Sequence, residues 1–369
     1  MIYILKLTNL YFMKKIIYIL LSLFFVSALN AQRVNIDKLS FRVNSRRLPN
    51  KILAPEYKTY SVQISATAAL EAYTNQSFSD QVNIVGLKKV QGKGHLNIKV
   101  NLDDLIIESS EVKKREEVRK DKSGKETGRT SYYSIQVIYT FAATAEVKDY
   151  KTNASMERYS LARRDGSFNR NEFKSEEYST YKEAADYYNN NLLELKTRFV
   201  RERINAALAA LNSNLNNDFG YPLYWETVHV WYAGTQKHIE HENSLNACNA
   251  IQGALAKLTP EDSIKGVIQS IADAIAYFEK LPTIYNEPEE KEHKKLRYCG
   301  YYNLGMIYYH LDQPELAMPY AQKLIDNDYD AGDGKDLLKD CQALIESFKK
   351  HNVTTRHFSI DMTSFQAPQ

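Results

Sequence analysis

The chain has little cysteine. Cys248, Cys299 and Cys341 are the only three in 369 residues, all in the C-terminal half, and an odd number does not build a disulfide framework. Each sits within an apolar helical periodicity, which makes it a small core residue and not a reactive thiol. The chain also lacks an excess of either charge once its first segment is set aside. Of 48 basic and 45 acidic residues, Lys6, Lys14 and Lys15 precede residue 32, which leaves 45 of each. A neutral chain has no basic field to attract phosphates, so nucleic acid is not an expected partner. Catalytic signatures are missing too. No Gly-x-Ser-x-Gly occurs, and no cysteine stands near a histidine in a recognised pattern. Gly86, Gly92 and Gly94 lead into a strand and not a helix, so they read as turn residues and not as a phosphate loop.

Metal-ligand spacings fail in the same way. His238 and His241, with His229, Glu240 and Glu242 nearby, are three apart, whereas a zinc helix needs two histidines four apart with the base between them. A polar helix start is the plainer reading. Asp326, Asp328 and Asp330 alternate as calcium ligands do, but Ala331 occupies the turn position that requires glycine and Leu337 stands at the twelfth position. A loop with Asp333 capping the next helix is expected there. No cofactor, no metal and no catalytic residue follows from these patterns.

One long apolar run is present. Lys14 and Lys15 precede Ile16–Val26, and Ala28-Leu29-Asn30-Ala31 offers small residues for cleavage before Gln32. The pattern predicts a signal peptide over 1–31 with the start at Met13; one longer uncleaved anchor from Met1 is the competing reading. Export follows, to the periplasm or beyond the cell, with no integral membrane segment after cleavage. No cysteine follows the apolar core, which excludes a lipid anchor on a new N-terminal cysteine.

After a weak stretch from Gln32 to about Leu53, read as an irregular lead-in, the pattern turns to period two. Within the lead-in, Arg42, Arg46 and Arg47 are open to an anion site or a solvated arm. Leu96, Ile98, Val100 and Leu102 alternate with polar partners, and Tyr133 to Val147 does so at greater length. This predicts an antiparallel sheet with one covered side. Between these strands the charged segment 108–133, with turn residues Gly124 and Gly128, predicts a long hairpin arm. Over Glu111 to Ser131 it holds eight basic and five acidic residues; a solvated arm and an arm that docks on a partner both fit. Thr180-x-x-Glu183 is a capping box opening a long helix to about Leu215, whose stripe from Leu192 through Phe199, Ile204 and Leu208 would cover the sheet. The expectation is an α+β domain over 32–220.

Residues 221–235 hold both tryptophans. Tyr224, Trp225, Trp231 and Tyr232 read either as an aromatic ligand platform, for example for envelope polysaccharide, or as the filling of a domain junction. Helical periodicity covers 236–350, with a Thr259-Pro260 helix start and a last helix over Lys335–Lys350. Within it, Tyr301, Leu304, Gly305 and Tyr308 share one helical face, and Ala317 follows an Asp312-x-x-Glu315 capping signal. This segment resembles a tetratricopeptide repeat, following its W-x2-L-G-x2-Y…A pattern with Tyr301 in place of Trp and departing at Pro319 and Ala321. The resemblance implies paired helices nesting at Gly305 against Ala317 and a groove for a protein partner. Tyr302, Asn303, Tyr309 and His310 flank the packing face and become the candidate partner-binding residues, with the Asn303 amide expected to bond a partner's backbone. The tail 351–369 alternates Phe358, Ile360 and Met362; it either pairs with an edge or stays loose. The functional expectation is an exported, non-enzymatic interaction or scaffold protein of the bacterial cell envelope. Carbohydrate binding at Trp225 is the first alternative and an envelope hydrolase the second.

Overall fold

The computed structural model describes residues 33–71, 78–165 and 169–368, so the leader at 1–31 and the cleavage point before Gln32 lie outside the described residues. The fold is α+β. Two compact units divide the described chain, one of residues 48–222 with 360–368 and one of residues 33–47 with 223–359. Strand β1 (Ile36–Arg46) belongs to the second unit and is treated with it.

In the first unit, alternating apolar and polar residues give each strand one buried face. Its strands are β2 (Thr59–Ala66), β3 (Lys88–Lys89), β4 (Leu96–Leu102), β5 (Ile106–Lys120), β6 (Glu126–Thr140), β7 (Ala143–Asp149), β8 (Ser155–Ala162) and β9 (Asn171–Lys174). They form two sheets, in the orders β3-β2-β4-β7-β8 and β5-β6-β9. The antiparallel expectation needs one correction. Strand β2 runs parallel to both β3 and β4, while the remaining pairs are antiparallel. The period-two run from Tyr133 also breaks at Phe141 and Ala142, so its two halves enter different sheets. Gly94 explains how β2 and β4 approach closely: a Cβ there would lie 2.5–2.7 Å from the backbone of Tyr60 and Ser61.

Helix α1 (Tyr181–Phe219) starts at the expected box, with the Glu183 amide donating to Thr180 Oγ1 at 3.2 Å and the Thr180 amide to Glu183 Oε2 at 3.0 Å. Leu195, Phe199, Val200, Ile204, Leu208, Leu211 and Leu215 are buried along it and join the strands in one apolar core. Leu192 is the exception, 40 % exposed. Tyr139 and Phe199 stack with ring centroids 4.4 Å apart, which fixes α1 on the second sheet.

In the second unit the expected lead-in is a strand. Leu39, Phe41 and Val43 alternate inward, and β1 pairs antiparallel with β10 (Leu223–Ala233) in a two-stranded ribbon, from Ile36 opposite Ala233 to Arg46 opposite Leu223. The stretch expected as an aromatic junction is therefore a strand, with Val228 and Val230 supplying its buried face. Helices α2 (His241–Leu255), α3 (Ile264–Ser270), α4 (Ala272–Ile284), α5 (Lys291–His310), α6 (Pro314–Asn327) and α7 (Ala331–His351) follow. Two starts differ from expectation. Thr259 to Asp262 forms a turn closed by its own hydrogen bonds, so the helix begins at Ile264. Asp330, and not Asp333, caps α7 by accepting from the Gly332 amide at 3.2 Å.

The α5–α6–α7 hairpins meet at small residues. A Cβ on Gly305 would lie 2.5 Å from Leu337 Cδ2 and 3.7 Å from Tyr320 Cβ. The glycine thus admits α7 and α6 at Leu337 and Tyr320, a correction to the expected seat on Ala317, which is itself fully buried beside Tyr298, Ala321, Leu324 and Cys341. Among the described residues no helix is long and apolar enough to cross a membrane.

Candidate functional site

The residues singled out on α5 lie where the helix covers a strand edge, and this changes their meaning. Among the described residues strand β10 has β1 on one side only, so its other edge needs partners. Asn303 supplies them. Its Oδ1 accepts from the Trp231 amide at 2.8 Å and its Nδ2 donates to the Trp231 carbonyl at 2.7 Å, the pair of bonds a neighbouring strand would make. The Cys248 thiol donates to the same carbonyl at 3.3 Å, and burial pushes that thiol well above its usual range. Asn303 is fully buried. The expectation that its amide bonds backbone holds in chemistry and fails in target, because the backbone belongs to this chain.

His310 is corrected for the same reason. It is 2 % exposed, with Nδ1 3.2 Å from Glu226 Oε1 and Nε2 without a partner among the described residues. Burial, followed by the charge of Arg356, pushes it down to about 3, so the ring is neutral at ordinary pH. Burial likewise raises the Glu226 carboxyl. The 3.2 Å contact is thus made by a neutral ring and is not an ion pair. Tyr302 and Tyr309 are half-buried, and burial pushes both phenols up to about 12.

Beside them lies a buried and heavily bonded charge. Asp312 stands in the left-handed region at φ 53°, with its carboxylate turned inward instead of capping α6. It accepts from Arg356 Nε at 2.6 Å, the Arg356 amide at 2.6 Å, Thr355 Oγ1 at 2.7 Å and His357 Nδ1 at 3.0 Å. Burial alone would raise this carboxyl, but the His357 bond, the Arg356 charge and the remaining donors outweigh it and hold it at about 2. Residues 353–358 are thereby pinned, and the Arg46 amide donates to the Arg356 carbonyl at 3.0 Å. This part of the tail is seated.

The aromatic residues do not form one platform. In the ribbon register Trp225 and Trp231 lie on one face, Tyr224 and Tyr232 on the other. Trp231 sits edge-on to Tyr298 and Tyr302 at 5.8 and 6.3 Å, while Tyr232 donates to Asp37. Trp225 is different. It is 50 % exposed, beside Leu223 at 59 %, and the Arg42 guanidinium stacks 4.1 Å from its ring centroid. The three arginines are therefore dispersed and form no shared anion site. Arg47 lies 4.7 Å from the Tyr224 ring and Arg46 donates to the Phe358 carbonyl. The signal that could have located the Arg42–Trp225 pair was the alternation in both strands, which places the two on one face.

The remaining polar clusters have structural duties. His238 Nδ1 accepts from the Glu240 amide, His241 Nδ1 bonds the Ala233 carbonyl, and the Glu240 carboxylate accepts from Tyr277 and Tyr285 at 2.9 and 3.0 Å. Arg297 lines a cleft of about 260 Å³ between α5 and α6, but its guanidinium is taken by Asn327 and the carbonyls of Tyr285, Glu287 and Pro288. Among the described residues no group of three or more His, Cys, Asp or Glu is placed to hold a metal ion. No protein-family model matches the chain, and no curated protein matches it.

Proposed function

We infer that this is a non-enzymatic interaction protein of the cell envelope, exported under the leader-like segment at 1–31, whose ribbon-and-helix unit receives a protein partner. The α5–α6 hairpin is its tetratricopeptide-like element, acting as the rigid support and not as the contact surface. The observation that carries the reading is the outer ribbon face. There Leu223 and Trp225 stand 59 % and 50 % exposed with Arg42 stacked on the indole. Trp and Arg beside an exposed aliphatic are the residue types in which interface energy concentrates. Tethering by Asn303 and Asp312 keeps that face preorganised, which lowers the cost of binding.

The test is affinity capture from envelope extract with three baits. A partner retained by the wild-type chain should be lost from Trp225→Ala, an anchor worth about 2 kcal/mol or more, and kept by Lys99→Ala, an exposed change in the other unit. Retention indifferent to Trp225→Ala, or recovery of nothing, would overturn the reading. Binding of an envelope polysaccharide is the second reading, carried by the half-exposed Trp225 ring. It requires glycans to quench tryptophan fluorescence in the wild type and not in Trp225→Ala.

A further inference from the structure

Strand β5 is terminal in the β5-β6-β9 sheet. Among the described residues no strand pairs with its outer side, and Lys113 through Lys120 are all exposed. A long bare edge is a template for another strand, and natural proteins usually blunt such edges with charge. The charges here do something more specific. The sequence from Glu111 to Arg119 reads EVKKREEVR, and taken outward from Arg115 it is its own complement. Lys114 mirrors Glu116, Lys113 mirrors Glu117, Val112 mirrors Val118, and Glu111 mirrors Arg119.

An antiparallel pair of identical strands related by a two-fold axis must have that axis pass through a residue, because only then do opposing side chains lie on the same face. With the axis at Arg115, one face sets Lys113 against Glu117 and Glu111 against Arg119 of the second copy. The other face sets Lys114 against Glu116 and Val112 against Val118. Neighbouring registers fail. An axis at Lys114 opposes Lys113 to Arg115 and Glu111 to Glu117; an axis at Glu116 opposes Lys113 to Arg119 and Glu116 to itself. Like charges directly opposite are destabilising, so one register is selected.

Arg115 at the axis would meet its own copy, but its guanidinium is drawn the other way. Nε and Nη2 each donate to the Glu177 carboxylate at 2.8 Å, and Cζ lies 4.6 Å from the ring centroid of Tyr132, the residue opposite Arg115 on β6. The side chain thus crosses β6 and leaves the outer edge clear. Lys113 contacts Glu111 and Lys114 contacts Glu116 within the strand, and Arg129 of β6 also donates to Glu116 at 2.7 Å; such exposed pairs are weak and can exchange for cross-strand partners.

We propose that β5 is a self-association surface: two copies of this chain join β5 to β5, antiparallel, with Arg115 on the two-fold axis. The inference is independent of the ribbon face and of any envelope partner. Sedimentation equilibrium on the full chain tests it. The wild type should form a dimer weakened by salt, with a dissociation constant on the order of 10–100 µM for a pairing at the small end of interfaces. The double variant K113E/K114E turns four attractive pairs repulsive and should weaken it at least about tenfold. Adding E116K/E117K restores opposite charges and should return the constant to within about threefold of wild type. Val112→Cys with Val118→Cys should give a cross-linked dimer on mild oxidation. Within one strand those positions are about 20 Å apart and cannot bridge, and the three native cysteines are buried. A monomer at all concentrations, a dimer indifferent to K113E/K114E, a quadruple variant no tighter than the double, or absence of the cross-link would each overturn the proposal.

Discussion

The two units solve the same problem with different materials. The sheet unit is held by area: α1 lays one apolar stripe on two sheets, and its core is almost wholly hydrocarbon and aromatic. The ribbon unit has its own apolar clusters, but a two-stranded ribbon leaves backbone groups bare, and single polar side chains close them. Asn303 completes the edge of β10 at Trp231. Ser244 Oγ accepts from the Ala233 amide at 3.0 Å, and His357 Nε2 meets the Asn44 carbonyl at 3.0 Å. Apolar packing tolerates exchange of shape, whereas a bond to backbone does not tolerate loss of its one partner.

That contrast can be broken in stages. The largest effect is expected at Asp312→Asn, which keeps size and the tolerated left-handed backbone but leaves the buried Arg356 charge without its counter-ion. It should cost about 3–5 kcal/mol, read as urea denaturation and as accelerated hydrogen exchange in peptides over 353–358. In the sheet unit, Leu208→Ala should cost about 2–5 kcal/mol, while Leu208→Met should cost less than about 1.5 kcal/mol. Near equality of those two would contradict a core held by volume. Asn303→Ala comes next, at roughly 1–3 kcal/mol for the Trp231 amide left unpaired, since the Trp231 carbonyl keeps the Cys248 thiol as a donor.

Acid supplies the smallest and most gradual break. The folded His310 pKa of about 3 lies below the ordinary histidine value of 6.5, so the unfolded chain takes up the proton first. Its contribution is complete above pH 6.5 and is lost as the pH falls toward 3, at no more than about 1.4 kcal/mol per pH unit. The raised Glu226 carboxyl runs the other way and offsets part of this, while His238, lowered by burial, adds to it. Asp312, held at about 2 against 3.8, contributes a further loss only below pH 4. His310→Gln should flatten denaturation midpoints between pH 6.5 and 4 without abolishing the slope. An unchanged profile would show that His310 is not neutral in the fold.

The same contrast explains what could be read from the sequence. Local signals were legible: the capping box at Thr180 and Glu183, the period-two runs of β4 and β6, the packing glycine Gly305 and the charged hairpin. Each depends on residues a few places apart. Strand β1 carried a period-two signal in Leu39, Phe41 and Val43, but its partner β10 lies 177 residues further on even at the closest register pair, Arg46 with Leu223, and sequence order alone does not pair them. In the sequence Asn303 and His310 read as groove residues because polar positions beside a packing face are usually exposed. Here a strand edge lies on that side and buries them. Asp312 looked like a helix cap, and only the return of residues 355–357 shows why its carboxylate turns inward.

One carboxamide on α5 stands in for a missing strand. The chain has two tryptophans, so 15N-tryptophan labelling isolates the Trp231 backbone amide, whose acceptor is Asn303 Oδ1. Its hydrogen exchange should be slow in the wild type and at least about tenfold faster in Asn303→Ala, while the Trp225 amide keeps its rate. Equal Trp231 exchange in the two proteins would contradict the account.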